Sequence, residues 1–185
     1  MNLHVGFHLK ISKGLSHAAK EARNKGLKAY QYFAKNPRSL QLSAFDPIEA
    51  MQCKKINNES GIQSVVHAAY PVNLATEGEK SLQVMSSLLH DLTVAEACGS
   101  IGVIVHFGHH KSRDRLRGYQ NMLQSLHQVL TAWDGQAKLF IENLAHGPMG
   151  TTTEEMLQIR LLSEHKEKIG FCLDTCHAFA SGLWP

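Results

Sequence analysis

Ile101-Gly102-Val103-Ile104-Val105-His106 is apolar from end to end and stops on a metal-binding side chain. Three other runs end the same way. His67 closes Ser64-Val65-Val66-His67, Glu142 closes Leu139-Phe140-Ile141-Glu142, and Asp174 closes Ile169-Gly170-Phe171-Cys172-Leu173-Asp174, with His177 three residues further on. Runs rich in Val, Ile and Phe that do not alternate with polar residues read as strands buried on both faces of a parallel sheet. Strands of a parallel α/β fold all point one way, so the residues at their carboxyl ends share one rim. His67, His106, Glu142 and Asp174 are therefore expected together, a donor set suited to zinc or a similar divalent ion. A lone strand-end histidine is usually a hydrogen-bonded structural residue. Four ligands in register are hard to explain as packing.

Outward from these runs, strands are expected at 3–8, 28–33, 62–67, 101–106, 138–142 and 169–174. They recur roughly every 25 to 39 residues, the size of a βα unit with its loops. Helical periodicity fills the gaps, in Leu82, Met85, Leu89, Leu92 and Ala95 and again in Leu116, Tyr119, Leu123, Leu126 and Leu130. Asp46-Pro47-Ile48-Glu49 carries an N-cap acceptor, a first-turn proline and a carboxylate at N3, and Thr76-x-x-Glu79 and Thr152-x-x-Glu155 have capping-box spacing. Gly26 and Gly99 stand where a helix end needs a left-handed residue. Six βα units fit. An open doubly wound sheet can be complete with six strands, whereas a closed (β/α)₈ barrel needs two more. Ligands spread over consecutive strand ends favour the barrel rim, since an open sheet concentrates its site at one switch point. The expected fold is thus α/β, a single-domain TIM (β/α)₈-type barrel, incomplete, with about six βα units.

Composition sets wider bounds. With 185 residues, 43% of them hydrophobic, one sizeable core is expected. No stretch approaches the ~18 consecutive apolar residues of a membrane span, and Met1-Asn2-Leu3-His4-Val5 lacks the basic start of a signal peptide. A soluble, cytoplasmic protein is expected. The four cysteines have no disulfide-framework spacing and read as reduced thiols, and Cys172-x-x-x-Cys176 is not a usual zinc spacing. A net charge of +3 permits a nucleic-acid partner without arguing for one. Twelve histidines fit a metal site.

The local sequences also resemble one known family. Asp174-Thr175-Cys176-His177-Ala178-Phe179-Ala180-Ser181-Gly182 is similar to the D-T-C-H-x-F-A-x-G signature of endonuclease IV, the zinc-dependent apurinic/apyrimidinic endonucleases. Further segments match in order. They are Gly6-x-His8 with Ser12-x-Gly14-Leu15, Lys35-Asn36-Pro37-Arg38, His67-x-x-Tyr70-x-x-Asn73-Leu74, His106-x-Gly108-x-His110 and Ile141-Glu142-Asn143-x-Ala145-x-Gly147. The resemblance spans nearly the whole chain. It implies up to three zinc ions, with Glu142 bridging two and serving as the catalytic carboxylate. His67 and His106 would complete the first ion's protein ligands, Asp174 would hold a second ion and His177 a third. It implies duplex DNA with abasic sites as partner, with Arg38 and Tyr70 pushing into the stack and Lys35 and Asn36 on phosphates. His8 and His110 would support the ligands from behind.

Ala68, Leu144 and His146 depart from the family's usual residues, and its later ligands, on strands seven and eight, lie beyond this sequence. Only the first ion's set is complete. The expected activity is metal-assisted cleavage of the phosphodiester 5′ of an abasic site in base-excision repair. The alternatives are a xylose-isomerase-like sugar isomerase or epimerase, and a non-catalytic chain that binds DNA or a partner. Open barrel edges imply self-association or a complementary chain.

Overall fold

The computed structural model describes residues 3–110 and 114–184. Strands and helices alternate along them. In order they are β1 (Gly6–His8), α1 (Leu15–Asn24), β2 (Ala29–Phe33), α2 (Pro47–Ser60), β3 (Gln63–His67), α3 (Glu79–Cys98), β4 (Gly102–His106), α4 (Arg115–Thr131), β5 (Lys138–Glu142), α5 (Thr153–Leu162), β6 (Ile169–Cys172) and α6 (Thr175–Ala180). All six strands are parallel and lie in sequential order. A doubly wound sheet reverses its order at a switch point. Here there is no reversal, and the sheet is an arc of a TIM barrel.

Strand parity separates two faces. Tyr30, Tyr32, Val66, Val103, Val105, Leu139, Ile141 and Ile169 turn toward the helices and are essentially closed to solvent. The opposite face carries His8, Gln31, Phe33, His67, His106 and Glu142, the polar residues of the rim among them. Register is staggered. His67 pairs with Ile104, so β4 runs two residues past β3 before His106 pairs with Glu142. That offset is the shear by which barrel strands tilt.

Helix starts follow the sequence in two places and depart in one. Asp46 accepts from Ile48 N–H at 2.8 Å ahead of Pro47, and Thr152 with Glu155 forms a reciprocal capping box. Thr76 caps nothing. α3 begins after Gly78, whose φ of 65° and ψ of −148° suit glycine alone, while Thr76 N–H turns back to Asn73 O. The expected helix faces were also partly misaligned. Leu82 and Leu116 are exposed, and Val84, Leu88, Met122 and Val129 take the buried positions. Among the described residues β1 pairs only with β2 and β6 only with β5, and Leu3, Val5 and Phe7 are exposed beside the first edge. No helix among them is long and apolar enough to cross a membrane.

Candidate metal centre

Three strand ends and one helix start build the centre. β3 supplies His67, β4 His106 and β5 Glu142, while Asp174 is the N-cap of α6 and presents His177 one turn later. Glu142 lies at the middle and is buried. Its Oε2 is 3.4 Å from His67 Nε2, and its Oε1 is 3.6 Å from His106 Nε2 and 3.3 Å from His177 Nδ1. Donor atoms of His67, His106 and Glu142 lie within 4.8 Å of one another, as do those of Glu142, Asp174 and His177. The carboxylate is thus shared by two groups.

The spacings from Glu142 to the two Nε2 atoms fit a metal. Two donors each about 2.0–2.1 Å from a tetrahedral zinc ion are about 3.4 Å apart. The His67 ring is also fixed for the purpose, because its Nδ1 hydrogen-bonds Ala68 O at 2.7 Å and leaves the Nε2 lone pair facing Glu142. Burial drives the His67 pKa down, but Glu142 and the Ala68 carbonyl outweigh it and hold it above the ordinary 6.5. Burial, with His67 and His177 nearby, keeps His106 below that value. Burial works to raise Asp174, yet the His177 N–H and charge leave its carboxyl below the usual range. Cys172 is pushed up to about 12 by burial and by Glu142 and Asp174. Cys172 belongs to neither ligand group, so imidazole and carboxylate make up the set.

Asn143 organises half of this centre, although the sequence reading gave it no role. It is fully buried. Its Nδ2 donates to Asp174 O at 3.1 Å, its Oδ1 accepts from Asp174 N–H at 2.7 Å, and its backbone oxygen meets His177 Nδ1 at 2.9 Å. A polar residue directly after a strand-end carboxylate was the signal. Gln31 and Phe33, equally unmarked, line a 340 Å³ pocket with His8, Tyr70 and the five candidate ligands. Gln31 Nε2 lies 3.1 Å from His8 Nδ1, and Phe33 packs edge-on against both His67 and Tyr70.

The remaining candidates fall into two sets. Tyr70, Arg38 and Asn36 are exposed, and Tyr70 N–H donates to Pro37 O at 2.8 Å, joining the loops that carry them. Lys35 is the correction. Its ammonium is buried against Asp91 and Ser87 O, facing α3 and not the rim, so it is withdrawn from any phosphate. His110 lies 3.4 Å from Glu77, a carboxylate pulled down to about 2 by Arg117 and Asn121. It braces a rim loop and belongs to neither ligand group.

A parallel sequential arc with two groups of His, Glu and Asp at its strand ends defines a TIM barrel with a candidate metal centre. Residues 19–184 match the family described as xylose isomerase-like TIM barrel, and the chain belongs to that family. Within it the resemblance to endonuclease IV is carried through. The probable endonuclease 4 of Symbiobacterium thermophilum is 39% identical over 97% of this chain and 66% of the relative. The crystal structure of endonuclease IV from Thermus thermophilus superposes with a TM-score of 0.81 at 36% identity, over 96% of this chain and 65% of that one. A D-tagatose 3-epimerase-like protein shares the fold, with a TM-score of 0.71 at 20% identity, 94% of this chain and 66% of that one. The chain therefore spans about two thirds of the length of these relatives.

Proposed function

We propose that this chain carries the metal-binding rim of a zinc-dependent endonuclease that cleaves the phosphodiester 5′ of abasic sites in duplex DNA, in cytoplasmic base-excision repair. The observation that carries the reading is the convergence of two ligand groups on the shared carboxylate of Glu142. Relatives named endonuclease 4 support a nuclease, and the motif resemblance supports abasic DNA as its substrate.

His67 Nε2, His106 Nε2 and Glu142 would hold one ion, and Glu142 with Asp174 and His177 would hold a further one. Ions held there supply Lewis-acid charge neutralisation and acidified water for attack on phosphorus. The chain's own residues do the rest. Asn143 orients Asp174 and His177 through their backbone and ring nitrogens. The 340 Å³ pocket between the ligands and the His8–Gln31–Phe33 wall accommodates a sugar-phosphate unit turned out of the duplex. Exposed Tyr70 and Arg38 wedge the stack, and Asn36 contacts backbone phosphates.

Cleavage of a duplex with one abasic site, compared with an intact duplex and with a ketose, tests this reading. Metal-dependent incision 5′ of the abasic site is expected, together with DNA affinity that falls with salt and with Arg38→Ala plus Tyr70→Ala. Ketose turnover without incision would favour the sugar isomerase alternative. Salt-sensitive binding without any turnover would favour a non-catalytic chain.

A further inference from the structure

Residues 34–46 join β2 to α2 without a helix or strand of their own, and they carry Asn36 and Arg38. Connections this long inside a compact fold are usually functional and need fastening. Both ends of this one are fastened to the same short stretch of α3. At the near end the Lys35 ammonium meets Asp91 and donates to Ser87 O at 3.3 Å. At the far end His90 Nε2–H donates to Ser43 O at 2.7 Å, and the His90 ring stands edge-on to Phe45 at 6.3 Å. His90 Nδ1 is 3.2 Å from Asp91 Oδ1, the oxygen that also receives Lys35, so one carboxylate oxygen links the two ends.

This arrangement is a costly way to hold a fold together. The Lys35 and Asp91 side chains are 2% and 1% exposed. Asp91 Oδ2 and Ser87 Oγ are buried with no hydrogen-bond partner among the described residues. A buried ion pair loses hydration that an apolar pair of equal volume never had, so stability alone is a poor reason for it. What the pair does hold is geometry. Pro37 O, between Lys35 and Arg38, receives the N–H of Tyr70, so the Tyr70 loop is tied to the Arg38 loop.

Building on the abasic-DNA reading above, we infer that His90 and Asp91 of α3 are positioning residues for DNA engagement. Through Lys35 and Ser43 they hold loop 34–46 so that Arg38 and, through Pro37, Tyr70 stand preset beside the metal pocket. Neither residue reaches the ligand cluster. They act on affinity by ordering the two rim side chains before DNA arrives, which removes an ordering cost otherwise met on binding.

Three variants of the whole chain test this. Lys35→Met with Asp91→Leu replaces the pair by apolar residues of similar size. His90→Phe keeps a ring against Phe45 but removes the N–H to Ser43 O, and His90→Gln restores a donor. Binding of an abasic-analogue duplex by fluorescence anisotropy, bound zinc, the melting midpoint and the rate of tryptic cleavage after Arg38 are read for each. The first two variants are expected to bind about tenfold more weakly and to be cut faster after Arg38. Zinc content and melting midpoint should hold, and His90→Gln should recover binding. A lower melting midpoint with unchanged affinity and unchanged Arg38 cleavage would overturn the inference and leave a merely structural pair. If the parent chain does not bind the duplex, the nuclease reading falls by itself. Arg38 cleavage then still decides the loop, with faster cutting in the variants upholding the fastening and unchanged cutting overturning it.

Discussion

Replacing Asn143 with alanine removes two hydrogen bonds at the start of α6 at once and leaves the Asp174 N–H without its partner, while Asp174 O keeps the Ala178 N–H at 2.9 Å. Asn143 is fully buried, and its amide both receives the Asp174 N–H at 2.7 Å and donates to Asp174 O at 3.1 Å. Each buried polar group left unsatisfied costs about 1–3 kcal/mol. Asp174 is partly exposed, so water recovers some of that loss, and about 2 kcal/mol in total is expected. For a chain of this length that corresponds to a fall of about 4–8 °C in the melting midpoint. The effect on the centre is lopsided. Asp174 loses the side chain that orients it, while His177 keeps the Asn143 carbonyl and is loosened only through the helix start it shares with Asp174, and His67, His106 and Glu142 keep their strand-end positions. Affinity at the Asp174 half should therefore drop about 10–100-fold, the range seen when a ligand's supporting partner is lost, with little change at the histidine half. Differential scanning calorimetry and a chelator competition titration measure the two quantities. A midpoint within about 1 °C of the parent, with both halves binding as before, would refute the role given to Asn143.

The remaining predictions are simpler. Leu126→Ala empties a closed core position and should cost about 2–5 kcal/mol, whereas Leu116→Ala, at a site 66% exposed, should change unfolding free energy in urea by less than about 0.5 kcal/mol. Burial works to raise the Glu155 carboxyl, but hydrogen bonds from Tyr119 and the Thr151 and Thr152 amides hold it below its ordinary 4.5. A depressed folded pKa contributes stability that is present above the unfolded value and lost as pH falls through the folded one. Glu155→Gln should therefore flatten the loss of stability below about pH 4.5, and an unchanged acid limb in a pH series would contradict this. With β1 and β6 each paired on one side among the described residues and Leu3, Val5 and Phe7 exposed, the 185-residue chain should self-associate with concentration. A monomer at every concentration by light scattering would show that those edges are protected.

Strand positions were legible because buried parallel strands need apolar residues on both faces, and the runs ending in His67, His106 and Glu142 have them. Their sequential order was not, since an apolar run does not say which strand it pairs with. Ligands on successive strand ends pointed to the barrel, and the register bears that out. Helix faces were misread where helices begin. Leu82 and Leu116 lie in the first turns of α3 and α4, next to the rim loops and past the strand ends on which later turns pack. Lys35 was misread for a different reason. Its partner Asp91 is 56 residues away in sequence, and nothing local distinguishes a buried lysine from a phosphate-facing one. Asn143 stood in plain view in the Glu142-Asn143 pair, but only the fold places Asp174 beside it.

Metal content per chain is the most direct test of the central claim that Glu142 is a carboxylate shared between two ligand groups. Elemental analysis of the purified chain should find divalent metal, zinc foremost. His106→Ala should remove the ion held with His67 and Glu142, His177→Ala the one held with Asp174, and Glu142→Ala both. Metal that survives Glu142→Ala at the parent stoichiometry would contradict the account.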